Sequence, residues 1–269
     1  RFSILFIILV ISVHGEDLPL SYSKENTGKE CKRAELLDPA KLKKVDTLPN
    51  PFEWTDGSGK VTSFDEWECR RNEIKDEIEK YEIGKKPETA KVEASYNGGS
   101  LKVVVTDNGQ SLTLTSSIKL PTGDGPFPII IGMNIPTGNL DKNLFSDFIQ
   151  VPFSHDQVAK YSMNGQKDTS IGFYKMYPDL KSNGDYSAWA WGVSRLIDGL
   201  EQVKDDIKAD LTKIVVTGCS YAGKMALFSG AFDERVALTI AQESGGGGIN
   251  SWRVADTIGN VEKIANTNY

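Results

Sequence analysis

The segment Lys213-Ile-Val-Val-Thr-Gly-Cys-Ser-Tyr-Ala-Gly-Lys-Met-Ala-Leu-Phe228 constrains this chain more than any other. Ile214 to Thr217 is a β-branched run suited to a strand buried on both faces. Gly218 permits a sharp turn, Ser220 sits at its tip, and Gly223 lets a helix begin close behind. A strand, a tight turn and a helix with a hydroxyl at the apex make a nucleophile elbow. Such a turn exposes the serine Oγ and aims the next backbone N–H, that of Tyr221, where an oxyanion forms. The usual spacing is G-x-S-x-G, and here Ala222 stands where the last glycine is normal.

A second buried strand is predicted at Val236 to Ile240, followed at once by Ala241-Gln-Glu-Ser-Gly-Gly-Gly-Gly248. In open α/β sheets, sites form outside the carboxyl ends of the strands. Glu243 lies at that end, one strand on from Ser220, where a carboxylate orients the histidine that deprotonates a serine. The alternative for Glu243 is a loop residue capping the next helix. In α/β-hydrolases the triad runs Ser, acid, His along the chain. The two histidines here, His14 and His155, both precede Ser220, and His155 reads as a surface residue of an irregular segment. No residue takes the usual place of the base. Together with the missing initial methionine, this leads to the expectation that the sequence is truncated at both ends.

Upstream, Asp46 to Lys60 reads as an extended arm with turns. Phe64 to Tyr81 is predicted helical, with Trp67, Ile74, Ile78 and Tyr81 near one face and a solvated charged face opposite. Ser63 and Glu66 suit a capping box. Strands are predicted at Lys91 to Tyr96, Ser100 to Thr106 and Leu112 to Leu120, the first two joined by an Asn97-Gly98-Gly99 hairpin signal. Phe127 to Gly132 is a short apolar strand. Asn134 to Gly184 is irregular, with a short strand at Gln150 to Phe153 and possible lid material. Ala188 to Lys204 is a helix with Trp189, Val193, Leu196, Ile197 and Leu200 on one side, and Lys224 to Gly230 is another. This alternation implies an α/β fold: a three-layer sandwich of the α/β-hydrolase type around a mostly parallel central sheet.

Phe2 to Val13 is almost unbroken apolar sequence after Arg1, and Val13-His14-Gly15 offers a cleavage site. Residues 1–15 therefore read as an incomplete signal peptide, too short for a membrane span. Residues 16–30 read as a mobile leader, and 31–269 as one domain. The mature protein is expected to be secreted, monomeric and free of membrane. Net charge is −6 with both signs mixed throughout, so no basic stripe argues for nucleic acid. The cysteines are Cys31, Cys69 and Cys219, an odd count that implies a free thiol or a partner elsewhere. No cluster with metal-ligand spacing occurs, and no cofactor is expected.

Longer motifs carry a specific resemblance. Gly218-Cys-Ser-x-x-Gly-Lys224, Gly230-Ala-Phe-Asp-Glu-Arg-Val-Ala-Leu-Thr-Ile240, Gln242-Glu-Ser-Gly and Trp252-Arg253 resemble the glucuronoyl esterases of carbohydrate esterase family 15. Trp67-Glu-Cys-Arg-Arg71, Gly125-Pro-Phe-Pro128 and Ala188-Trp-Ala-Trp-Gly-Val-Ser-Arg195 resemble its fungal members. The resemblance spans Cys31 to Val261. It implies a secreted serine esterase that cleaves esters joining lignin alcohols to 4-O-methyl-glucuronic acid on glucuronoxylan. It also implies Ser220 as nucleophile, Glu243 as triad acid, Lys224 as a ligand for sugar hydroxyls and a Cys31–Cys69 disulfide. The partners of Cys219 and Ser220, a cysteine beside a catalytic histidine, are then expected beyond Tyr269.

The departures are local. The family has arginine after the nucleophile, where this chain has Tyr221. Ala222 and Met225 replace an asparagine and a glycine. Ser251 replaces a disulfide cysteine, and Glu262 replaces a sugar-binding amide. Two rival expectations follow: another carbohydrate esterase, such as an acetyl-xylan esterase, and a non-catalytic carbohydrate-binding relative.

Overall fold

The structure is a computed structural model and describes residues 21–33, 35–88, 90–162 and 166–250. The expected signal peptide, the first residues of the leader and the motifs from Ser251 to Glu262 lie outside the described residues.

Three antiparallel strands come first: β1 (Lys91–Asn97), β2 (Ser100–Asp107) and β3 (Gln110–Ser117). Both connections are two-residue turns, Gly98-Gly99 and Asn108-Gly109, with positive φ at all four positions. That is the turn whose twist matches a hairpin. Four parallel strands follow: β4 (Phe127–Met133), β5 (Ile149–Phe153), β6 (Ala209–Cys219) and β7 (Val236–Gln242). Their spatial order is β5-β4-β6-β7, and a Lys119–Gln150 bridge joins the two sheets at the β5 side. Ile129, Ile131, Ile214 and Val216 are fully buried at the centre. The Val236 strand, expected to be buried, is not: among the described residues it pairs only with β6, and Leu238 is 52% exposed.

The helices are α1 (Phe64–Ile78), α2 (Gly172–Met176), α3 (Asp185–Gln202), α4 (Lys204–Ile207) and α5 (Tyr221–Ala231). Ser63 caps α1, its Oγ accepting the Glu66 N–H at 3.2 Å, while the Glu66 carboxylate turns to the Thr62 N–H. The charged face of α1, expected in solvent, is largely covered: Arg70, Asn72, Glu73 and Asp76 are buried. The extended arm folds over Arg70 and Glu73, so Arg70 donates to Pro51 O, Thr55 and Glu73, while Arg33, from the segment before the arm, pairs with Asp76. Cys31 and Cys69 form a disulfide between the segment that precedes the arm and α1. Helix α3 is buried almost all round rather than on one side, because it lies between α5 and the β1–β2 hairpin.

Residues 21–30, expected to be mobile, are pinned. Thr27 donates N–H and hydroxyl to Glu234. Glu25 enters a buried ionic cluster, receiving Lys86 Nζ at 2.5 Å and the Arg195 guanidinium. Arg235 extends the cluster to Asp198 at 2.7 Å, Glu201 at 3.0 Å and Asp233 at 2.7 Å. Charges taken from water persist only when each is paired and hydrogen-bonded, and a pinned leader is what completes the pairing.

At the start of α3, Asp185 is 1% exposed and accepts the Tyr174 hydroxyl at 2.5 Å. Burial pushes its carboxyl up to about 6, with the Tyr174 bond and Lys167 pulling the other way. The folded state thus holds this proton more tightly than the unfolded chain. The resulting stabilisation is complete below the unfolded value of about 4 and is lost as pH rises through about 6. Asp185→Asn keeps the acceptor and removes the charge. In urea unfolding followed across pH 4 to 7, its stability relative to the parent is expected to rise by roughly 1–3 kcal/mol. A flat difference across that range would refute the assignment.

Candidate active site

The carboxyl edge of the parallel sheet concentrates backbone strain. Asn134, Ser220 and Glu243 have φ of 64°, 59° and 43°, and each is the first residue past β4, β6 and β7 respectively. Non-glycine residues rarely hold this conformation, which costs on the order of 1–3 kcal/mol and persists only where the surroundings impose it. Three in a row along one sheet edge mark the crevice where α/β folds place their ligands.

Ser220 is exposed at the turn. Its N–H donates to Gln242 O at 3.0 Å, and its carbonyl accepts the Lys224 N–H at 3.1 Å to open α5. Tyr221, as the first residue of that helix, has an N–H with no carbonyl of its own helix within reach. The turn packs closely. A Cβ at Gly218 would come within 2.2 Å of Ala222 O, and one at Gly223 within 2.4 Å of Gln242 O. The close approach to β7 therefore occurs at position 223, not 222, so the alanine in the elbow is accommodated. Gly223→Ala is expected to force the end of β7 away from the elbow and to lower stability by about 1–3 kcal/mol. Thermal unfolding checks this, and a Tm equal to the parent's would count against the packing argument.

Glu243 lies beside the turn, because Gln242 pairs with Cys219 across the two strands. Its Oε2 is 4.0 Å from the Cys219 thiol, and the side chain is exposed. Lys224, 1% exposed, donates from Nζ to Gly246 O at 3.2 Å and so faces the glycine-rich loop after β7. Ser220, Tyr221, Lys224 and Glu243 are thus brought together at one end of the β6–β7 pair. Cys31 and Cys69 stand apart from this edge, on the segment before the arm and on α1.

His155, read from the sequence as a surface residue, is 1% exposed. It follows β5, and its Nε2 lies 2.7 Å from Asn134 Nδ2 and its Nδ1 3.0 Å from the Asp156 carboxylate. Burial holds its pKa below the usual value, with Asp156 opposing. Its ring meets Trp189 and Tyr221 edge-on. Tyr221 is stacked on Tyr161, with centroids 3.9 Å apart and planes 17° from parallel. Burial, then Tyr161 and Asp156, push the Tyr221 phenol above its ordinary pKa, so it is neutral at physiological pH. Sequence reasoning missed Asn134, His155 and Tyr161. The available signal was position: Asn134 directly follows the apolar β4 run and His155 closely follows β5.

Among the described residues no group of three His, Cys, Asp or Glu side chains is arranged to hold a metal ion, and no helix is long and apolar enough to cross a membrane.

Comparison with known proteins places this architecture. A sequence profile described as "Glucuronyl esterase, fungi" matches residues 103–268. The 4-O-methyl-glucuronoyl methylesterase of Thermothelomyces thermophilus is 42% identical over 211 residues, covering 78% of this chain and 52% of the relative. That of Neurospora crassa is 39% identical over 226 residues, covering 83% and 55%. The chain thus spans about half the length of the curated relatives it matches. The crystal structure of the Sporotrichum thermophile glucuronoyl esterase superposes with a TM-score of 0.73 at 39% identity, covering 82% of this chain and 62% of that one. A mutant of that enzyme in complex with methyl 4-O-methyl-β-D-glucopyranuronate gives a TM-score of 0.70 at 41% identity, covering 78% and 56%. The fold is therefore that of the α/β-hydrolases, and the chain belongs to the fungal glucuronoyl esterase family.

Proposed function

We propose that the protein carrying this chain is a serine esterase acting on esters of 4-O-methyl-glucuronic acid, such as those joining glucuronoxylan to lignin alcohols. The observation that carries this reading is Ser220, held with φ 59° at an exposed strand–helix turn directly beside Glu243 and Lys224. The complex of a relative with a methyl 4-O-methyl-glucuronate ester supports the substrate class.

In this reading Ser220 Oγ attacks the ester carbonyl and passes its proton to a histidine base. The oxyanion is received by the Tyr221 N–H, at the positive end of α5. The protonated base returns its proton to the leaving alcohol, and water then attacks the acyl-enzyme to free the uronate and restore Ser220. Glu243 orients the base and stabilises its charged form. Lys224 donates to sugar hydroxyls. His155 does not serve as the base, since Asn134 and Asp156 already face both ring nitrogens. The base is assigned to a residue outside these 269 positions. Residues 1–15 act as a signal peptide, residues 31–269 belong to a single esterase domain, and the mature protein works outside the cell as a monomer without a cofactor.

The test is direct. The protein expressed from its complete coding sequence is offered methyl 4-O-methyl-glucuronate and acetylated xylan side by side. Methanol release from the first supports the reading. Acetate release alone would indicate an acetyl-xylan esterase, and saccharide binding without turnover a non-catalytic relative.

A further inference from the structure

We infer that a second, cationic groove, separate from the candidate active site, binds acidic polysaccharide through its uronate carboxylates. The sign of the ligand's charge follows from the groove itself, and the choice of a polysaccharide rests on the esterase reading above.

Four parts of the chain meet at a cavity of about 1050 Å³. The segment before the arm brings Lys29 and Arg33, and the stretch before β1 brings Lys85 and Glu88. The β2–β3 turn brings Asn108 and Gln110, and α2 with the residues after it brings Lys175 and Asp179. Four cations thus line the cavity against two acids, in a chain whose net charge is −6. All four cations are exposed. Glu88 is already met by Lys29 at 3.5 Å and by Lys75 at 3.7 Å. Arg33 pairs with Asp76, whereas neither Lys85 nor Lys175 has an ion pair among the described residues. Arg33 and Lys85 also line an adjoining cavity of about 330 Å³, so the concavity continues past them toward Lys80. The acids of that second cavity, Asp76 and Glu79, already hold Arg33 and Lys75. No residue lining either cavity belongs to the strand ends that carry Asn134, Ser220 and Glu243.

The chemistry of this lining suits a sugar acid. The lysine ammonium groups attract carboxylates, and the exposed amides of Asn108 and Gln110 can both donate to and accept from hydroxyls. At physiological ionic strength, exposed charges more than about 8 Å apart are largely screened. The local excess of cations therefore outweighs the acidic surface elsewhere. Exposed ion pairs such as Lys29–Glu88 are weak, so a ligand carboxylate exchanges with them readily. The frame that carries these groups is fixed. Asn183 donates from Nδ2 to Lys85 O at 2.6 Å, and the Tyr177 hydroxyl donates to Asp107 at 2.8 Å beside the β2–β3 turn. The Cys31–Cys69 disulfide ties the segment between Lys29 and Arg33 to α1. Small-molecule pockets hold about 300–1,000 Å³. This cavity is at the top of that range and opens into a second one, which favours an extended polymer over a single small anion. A chain bearing several uronates can occupy the groove with one of them and the active site with another, which raises apparent affinity without any new contact at the ester.

The experiment uses the protein expressed from its complete coding sequence, with Ser220→Ala to prevent turnover, and compares it with the same protein carrying Lys85→Glu and Lys175→Glu. By calorimetry, the affinity for glucuronoxylan is expected to fall roughly 5- to 20-fold in the glutamate variant. It falls less when both lysines become glutamine, and binding by the parent weakens as salt is raised. Affinity for methyl 4-O-methyl-glucuronate stays unchanged, because that small ester does not reach the groove. An unchanged affinity for glucuronoxylan, or an equal loss on neutral xylohexaose, would overturn the proposal. Tetragalacturonate, which has free carboxylates and no ester, is expected to lose the same factor as glucuronoxylan. Inorganic phosphate bound as tightly as tetragalacturonate would reduce the groove to a small-anion site and overturn its assignment to polysaccharide. The tetragalacturonate arm needs no turnover. A protein that hydrolyses no glucuronate ester yet shows this loss would remove the esterase reading and keep the groove, so the two readings fail separately.

Discussion

Ser220→Ala is expected to reduce kcat for 4-O-methyl-glucuronate esters by about 10⁴- to 10⁶-fold, the scale on which hydrolases lose activity when the nucleophile of a triad is removed. The fold should tolerate the change, because Ser220 is exposed at its turn and alanine removes only the hydroxyl. Hydrolysis within 10-fold of the parent, measured as methanol release under single-turnover conditions, would place the chemistry elsewhere. A companion variant separates strain from chemistry. Ser220→Gly also removes the hydroxyl, but it relieves a φ of 59° that favours glycine. It should therefore be equally inactive and more stable than Ser220→Ala by roughly 1–2 kcal/mol. Equal Tm values for the two variants would mean that the turn stores no strain at this residue.

Arg235→Met should be the most destabilising single change among the charged residues described, at about 3–5 kcal/mol. Methionine fills much of the same volume but leaves three carboxylates, Asp233, Asp198 and Glu201, without the cation they share. Asp233 is fully buried, and its Oδ1 and Oδ2 both receive the Arg235 guanidinium. Asp198 and Glu201 approach the same Nη1. An uncompensated buried carboxylate must bind a proton or draw in water, and either route weakens packing around α3. Against a total stability of about 5–15 kcal/mol, such a loss is readily measured by urea unfolding. A loss below 1 kcal/mol would show that the cluster is hydrated and contributes little. A double-mutant cycle with Glu25→Gln then measures how far the N-terminal segment depends on Arg235.

The parts of the molecule legible in the sequence are those written in local patterns. The β-branched run before Gly218, the apolar run at Phe127 and the glycine hairpin at Asn97 each announce their own backbone. The elements they predict occur within a few residues of the expected ends. The strand–turn–helix around Ser220 was legible for the same reason, and so was the place of Glu243. What stayed hidden depends on distant partners. Arg70, Glu73 and Asp76 read as surface residues in any periodicity, yet they are buried because an arm some 20 residues upstream covers Arg70 and Glu73 and Arg33, further upstream still, pairs with Asp76. The all-round burial of α3 reflects a hairpin packing on its outer side, which its own spacing of apolar residues cannot express. His155 and Tyr161 sit in a segment with no regular period, and their proximity to Tyr221 follows from the order of strands in the sheet rather than from any local motif.

The pinned N-terminal segment also has a consequence for the order of assembly. Its anchoring contacts join residues 170 and 207 positions apart in the chain. On the ribosome, Glu25 can meet Lys86 and Thr27 can meet Arg71 early, but the ties to Arg195 and Glu234 wait until those residues have been made. Contacts of such separation form late, after the sheet has brought its strands into register. Weakening them should therefore leave the folding rate almost unchanged and appear chiefly as faster unfolding. In this protein the long-range ties of the 21–30 segment are among the last contacts to be made, and their strength governs how long the folded state endures once formed.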